Sequence, residues 1–315
     1  MRVNKMKMYV GITDYDWYSI IRNENCDEVN FWKPSGNINF RAIETNELFL
    51  FKLHSPNNYI VGGGFFVKYS ILPTYLAWDA FGIKNGAKTL QELNERVIKY
   101  KSNKSIVDNN HNIGCIILTE PFFFNEKDWI PIPADWKRGI QTGKTYSTDT
   151  FVGQRLLQQV NEKLKKQTLI SANELCEHES SERYGKEQIV KPRLGQGAFR
   201  VLVTDAYNRK CSVTGEKTLP VLDAAHIKSF SSNGPNSADN GLLLRTDIHK
   251  LFDKGYITVN DEYKVEVSKR LNEDYGNGKI YYYFHGRKLF NIPENKYDIP
   301  AKEFLHWHNN NVYLG

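Results

Sequence analysis

The stretch that most constrains this chain is VLDAAHIKSFSSNGPNSADNGLLLRTDIHKLFD, Val221 to Asp253. An apolar run, Leu219 to Ala225, ends at His226, and a Gly/Pro/Asn/Ser loop, Ser231 to Asn236, turns the chain back. A second short run, Leu242 to Leu244, leads into a helix beginning near Thr246 or Asp247, both acceptable N-caps. The expected unit is strand, loop, strand, helix. It brings the end of one strand against the first turns of one helix. Thirteen residues separate His226 from Asn240, and eight separate Asn240 from His249. On the expected helix His249 and Asp253 are i and i+4, so their side chains share a face.

These residue types suit metal-assisted hydrolysis of a phosphodiester. A neutral imidazole with a pKa near ~6.5 takes a proton from water near neutrality, which makes His226 the expected general base. The amide of Asn240 cannot titrate usefully, but it can accept from the other ring nitrogen and fix the tautomer. His249, with Asp253 or Asp223, would hold a divalent cation, Mg2+ or Mn2+, at the scissile phosphate. Each carboxylate also has a plainer reading. Asp253 fits an exposed helix carboxylate beside Lys250 or Lys254, and Asp223 a hydrogen bond at a strand edge.

At 315 residues the chain has room for two domains with their own cores, and its 40% apolar and 13% aromatic content is that of a folded protein. No run approaches the eighteen or so apolar residues of a membrane span. The N-terminus has no apolar core of signal-peptide length before Asp14 and Asp16, so the expected location is cytoplasmic. Cys26, Cys115, Cys176 and Cys211 are scattered without a CxxC pair, which indicates neither a disulfide framework nor structural zinc. A net charge of +6 suits a polyanionic partner.

From Met8 to about Thr150 the chain is dense in short apolar runs: residues 8–12, 47–53, 59–67 and 113–118 read as strands. Asp16 to Arg22 and Thr89 to Tyr100 read as helices, the second with Thr89 and Glu92 matching a capping box. Gly62 to Gly64 reads as a bulge or a close approach between strands. The expected organisation is a β-rich domain over 1–150, a helical and polar linker over 151–188, and a second domain over 189–315. KLKK, Lys163 to Lys166, reads as a solvated helix face. In the second domain Gly197 to Asn208 reads as a helix, YITVN and KVEVS as a hairpin, and EFLHWHNNNVY as a closing helix. Arg193, Arg200, Arg209, Lys228, Arg245 and Lys250 surround the central stretch and suit contacts to a DNA backbone.

Phe199 to Leu271 resembles the HNH domain of bacterial restriction endonucleases, through FRVLVTDAYNRKCSVTGEKTLPVLDAAHIKSF and NGLLLRTDIHKLFDKGYITV, joined by EFLHWHNNNV further on. Relatives often carry a histidine or aspartate ligand immediately before the base; here that position is Ala225, and Asp223 is the nearest substitute on the same strand face. CSVTG resembles a knuckle that holds CxxC in zinc-bearing relatives, but Cys211 stands alone. YVGITDYDWYSI, VNFWKPSG, ELFLFKLHSPNNYIVGGGFFV and AWDAFG resemble a PUA-like domain, related to EVE and SRA-type readers that flip a modified cytosine into an aromatic pocket. The resemblance implies an α+β protein: an N-terminal PUA-like β-barrel domain with helices and a C-terminal ββα-metal nuclease domain. It implies double-stranded DNA bearing 5-methyl-, 5-hydroxymethyl- or glucosylated cytosine as substrate. Trp17, Trp32 and Trp78, with Asp14 and Asp79, are the expected pocket residues, against ordinary core packing as the plainer reading. Rival readings are a restriction nuclease for unmodified DNA and a reader that has lost catalysis. One such site cuts one strand at a time, so double-strand cleavage would call for a homodimer or two successive nicks.

Overall fold

The computed structural model describes residues 6–36, 39–101, 111–175 and 194–315, and divides into two compact units, Met1–Pro192 and Arg193–Gly315. The fold is α+β, as the sequence patterning and the resemblance led one to expect. In the first unit come β1 (Lys7–Thr13), α1 (Tyr15–Asn23), β2 (Glu28–Lys33), β3 (Leu48–Leu53), β4 (Tyr59–Pro73), α2 (Thr74–Phe81) and α3 (Leu90–Tyr100). They are followed by β5 (Asn112–Phe123), β6 (Ile130–Pro131), β7 (Gly143–Ser147) and α4 (Phe151–Leu175). One sheet runs β2-β5-β4-β3-β1-β7, with β6 on β4. Among the described residues of this sheet only β1 and β3 pair in parallel. All four expected strand runs lie in it.

The period-two alternation explains why these strands read as continuous apolar runs. Tyr9, Phe49 and Phe51 point into an aromatic cluster with Trp17, Tyr18 and Phe31. Their neighbours Met8, Val10, Leu48 and Leu50 point to the other face, against Phe124, Tyr146, Leu156 and Val160. Both faces are therefore dry, and alternation in hydrophobicity disappears. At Gly62 a Cβ would meet the Phe122 carbonyl oxygen at 2.2 Å, and the pairing shifts between Gly63 and Phe65. This is the close approach expected of the glycine run.

The segment read as a linker from residue 151 needs correction. Leu156 and Val160 of α4 are each 1% exposed and complete the second core layer. Burying two such side chains contributes roughly 1.5–3 kcal/mol each, so this half of the helix is structural. The KLKK run is not merely solvated either. Lys163 and Lys166 Nζ lie 3.1 and 2.8 Å from Asp128 Oδ1 and, Lys166 first, hold that carboxyl below the usual range.

In the second unit come α5 (Gln196–Ala206), β8 (Leu222–His226), β9 (Gly241–Arg245), α6 (Thr246–Asp253), β10 (Ile257–Val259) and β11 (Val265–Val267). They are followed by α7 (Arg270–Tyr275), α8 (Lys279–Tyr282) and α9 (Lys302–Asn311). β8 and β9 form one antiparallel ribbon and β10 and β11 another. A single core joins Phe199 and Val203 of α5, Leu242 and Leu244 of β9, Ile248 and Phe252 of α6, and Leu305 of α9. His308 fastens α9 down: Thr258 Oγ1 donates to its Nδ1 at 2.8 Å and its Nε2 donates to the Phe252 carbonyl at 3.1 Å. It also stacks on Phe252, with ring centroids 3.7 Å apart.

Candidate functional site

The ribbon places the central residues. β8 pairs with β9 so that His226 lies opposite Gly241 and Leu222 opposite Arg245, and α6 follows β9 without an intervening loop. The N-cap of α6 is Arg245, not Thr246 or Asp247. Its backbone is extended, while Thr246 Oγ1 donates to the Val221 carbonyl and Asp247 accepts a two-point ion pair from Arg245 at 2.6 and 2.7 Å.

Asn240 does not do what its spacing led one to expect. It is fully buried, and its amide is spent on the loop between the strands: Oδ1 accepts from Lys228 N, and Nδ2 donates to the Lys228 and Pro235 carbonyls, each at 2.9 Å. The amide thus clamps both ends of the loop and touches no imidazole. Gly234 is needed beneath it, since a Cβ there would meet the Lys228 carbonyl oxygen at 1.9 Å. The residue that reaches His226 is Asn236, whose Oδ1 lies 2.8 Å from Nε2. A ring nitrogen bonded to an amide oxygen carries the proton, which leaves the Nδ1 lone pair of a neutral ring available. Burial pushes the His226 pKa below its ordinary value, with His249 adding to that and the Asn236 contact opposing it. Burial thus favours the neutral form of the His226 ring.

His249 stands between two carboxylates. Asp223 Oδ2 is 3.5 Å from its Nδ1, and Asp253 Oδ2 is 3.3 Å from its Nε2. Both carboxylates named from the sequence are thus beside it, but on opposite ring nitrogens. One cation can be shared with one of them at a time. Nitrogen plus carboxylate oxygen suits a divalent ion whose other positions go to water and phosphate. Among the described residues no group of three His, Cys, Asp or Glu is gathered as a ligand set. Ala225, fully buried in the core, cannot supply a third.

The basic residues divide. Lys250 is exposed, and Lys228 Nζ lies 5.9 Å from the Trp307 ring centre. Arg245 is committed to Asp247, and Arg209 lies 3.7 Å from Asp205. Arg200 is half-buried on α5, and Arg193 falls outside the described residues. Cys211 is fully buried, with its sulfur accepting from Thr214 N and Arg245 N.

The first unit has a cavity of about 390 Å³. Trp17, Trp32, Asp14 and Lys33 line it, as do Phe31, His54 and Tyr100, which the sequence did not single out. Trp78 and Asp79 do not; they sit on α2, where Trp78 is half-buried and Asp79 exposed. Trp17 is 2% exposed, edge-on to Phe31 and Phe51, so it is core packing with one edge at the cavity. Trp32 is held by Nε1 donating to the Asn85 carbonyl at 2.9 Å, and Tyr100 donates to Asp14 Oδ2 at 3.3 Å. Burial pushes the Lys33 ammonium and the His54 imidazole down, so the cavity sets aromatic faces beside two basic groups whose charged forms burial disfavours.

Residues 211–260 match the HNH endonuclease family, so the second unit carries an HNH endonuclease domain. That match spans the ribbon, the clamped loop and α6. No curated protein compared with the chain matches it. Among solved structures, ASCH from Zymomonas mobilis aligns with 48% of this chain and 94% of its own, at 8% identity and a TM-score of 0.35. The modification-dependent TagI restriction endonuclease aligns with 96% of this chain and 81% of its own, at 11% identity and a TM-score of 0.26. Among the described residues no helix is long and apolar enough to cross a membrane.

Proposed function

We propose that this protein is a DNA endonuclease of the restriction type, in which His226 is the general base and the first unit reads a modified cytosine. The observation that carries the nuclease half is His226 at the end of β8, with its Nε2 2.8 Å from Asn236 Oδ1, within a domain of the HNH family. Nδ1 takes a proton from water as the water oxygen bonds to phosphorus. The bond from phosphorus to the leaving sugar oxygen breaks, and that oxygen is protonated from solvent. His249, with Asp223 or Asp253, would hold Mg2+ or Mn2+, which when bound supplies positive charge at the phosphate and leaving oxygen. Lys228 and Lys250 would contact the phosphate backbone and set register without reading sequence.

The reader half rests on the cavity. A flipped base needs aromatic faces and polar groups at its edge, and unstacking costs a few kcal/mol, roughly, which those contacts must return. Trp32 and Tyr100 offer faces, and Asp14, Lys33 and His54 offer edge contacts. The substrate in this reading is double-stranded DNA with 5-methyl-, 5-hydroxymethyl- or glucosylated cytosine, restricted in the cytoplasm, with duplex cleavage by a homodimer or by successive nicks. Wild type and His226→Ala are incubated with matched duplexes carrying each cytosine form, with Mg2+, Mn2+ or chelator. Cleavage that needs the cation, needs His226 and favours one modified duplex is expected. Equal cutting of every duplex refutes the reader half, and full activity of His226→Ala refutes the base.

A further inference from the structure

His226 is held from a position that its own motif does not mark. Asn236 Nδ2 donates to the Leu194 carbonyl at 2.5 Å. A carbonyl only accepts, so the amide nitrogen must face Leu194 and the amide oxygen must face the imidazole. That oxygen in turn requires the proton on Nε2 of His226, 2.8 Å away. The ring is confined from a second direction by Phe199 of α5, which stacks on it with centroids 3.7 Å apart and planes 11° from parallel. Asn236 is itself placed by the loop clamp, because the preceding carbonyl, that of Pro235, accepts from Asn240 Nδ2. Leu194 and Phe199 flank the first turn of α5, some thirty residues before the base in sequence.

We propose that Asn236, anchored on the Leu194 carbonyl, and Phe199 are positioning residues that hold His226 as the Nε2–H tautomer and present Nδ1 to the reacting water. This rests on the reading of His226 as the general base. It assigns the orienting role to a loop asparagine and the entry of α5, and leaves Asn240 as the clamp that sets Asn236 in place. Removing the acceptor frees the ring to exchange its proton between nitrogens and to rotate about its Cβ–Cγ bond. Catalysis then loses the fraction of molecules in the wrong tautomer or rotamer, while DNA binding, carried by other groups, is unaffected.

The test uses the full chain. Nitrogen-15 NMR, with the His226 signals assigned by their loss in His226→Ala, reads the tautomer directly and needs no activity. The wild type should show Nε2–H, and Asn236→Ala a mixture. In cleavage assays Asn236→Ala should lose roughly two- to tenfold in kcat with little change in KM, as half to nine-tenths of the rings take a wrong tautomer or rotamer. Asn236→Asp restores an acceptor and stabilises the imidazolium, so it should recover part of kcat and move the acid limb of the pH profile upward. Phe199→Leu keeps the bulk without the flat ring, and should lower kcat without altering the tautomer. An Nδ1–H tautomer in the wild type overturns the proposal, whatever the activity. So does an Asn236→Ala protein that melts earlier but keeps the wild-type tautomer, kcat and pH profile. If His226→Ala cuts normally, it is the assignment of the base that fails instead.

Discussion

The clamp formed by Asn240 makes a prediction whose size can be worked from the structure. Asn240→Ala removes three hydrogen bonds to backbone groups, each 2.9 Å long, from a fully buried position. Each contributes about 1 kcal/mol net, so the loss is about 3 kcal/mol, more where the freed Lys228 N–H stays dry. For a unit the size of residues 193–315 this lowers the melting midpoint by on the order of 10 °C. Asn240→Asp keeps the one acceptor but sets a carboxylate oxygen against two carbonyl oxygens, so it should destabilise at least as much at neutral pH. The assay is urea unfolding of both variants followed by tryptophan fluorescence, with His226 tautomer measured well below the new midpoint. Destabilisation with an unchanged tautomer is the expected pair of results. An unfolding free energy within about 0.5 kcal/mol of wild type would refute the clamp, and a changed tautomer in a folded variant would restore Asn240 as the group that orients the base.

Other expectations follow from single contacts. Burial pushes the His308 pKa from its ordinary 6.5 to about 4. Between those values the unfolded chain binds a proton that the native state refuses, so stability present above pH 6.5 should fall by about 3 kcal/mol as pH drops to 4; His308→Gln should lose that slope, measured by unfolding at several pH values. Leu156→Ala empties part of the second core layer and should destabilise the first unit by about 2–5 kcal/mol in urea melts, whereas a true linker residue would cost nothing. Trp32→Ala should weaken discrimination between modified and plain duplex in binding assays, and Trp78→Ala should leave it intact; the opposite ranking would mean that this cavity is not the reading site.

The legibility of the chain varied with the range of the interaction concerned. The strand runs, the capped helix over residues 90–100 and the order of ribbon, loop and α6 were visible, because period, caps and turn residues act within a few positions. Thr89 Oγ1 accepts from Glu92 N as a capping box requires, though Glu92 returns its bond to Lys88 N and not to Thr89. The role of α4 was not visible. A change in composition after residue 150 marks a boundary between kinds of secondary structure, and says nothing about what Leu156 and Val160 pack against. The two asparagines show the same limit. Asn240 stands at the expected spacing and Asn236 does not, yet which amide meets an imidazole depends on how the loop between them closes.

By itself the sequence determined that a histidine would end a strand beside a helix bearing a second histidine and a carboxylate, because those placements follow from alternation along a strand and repeat along a helix. Only the tertiary structure decided that Asn236 meets His226, that Asp223 and Asp253 take opposite nitrogens of His249, and that Trp32 but not Trp78 lines a cavity. Hydrogen bonds and burial join residues distant in the chain, and their geometry exists only once the backbone has closed.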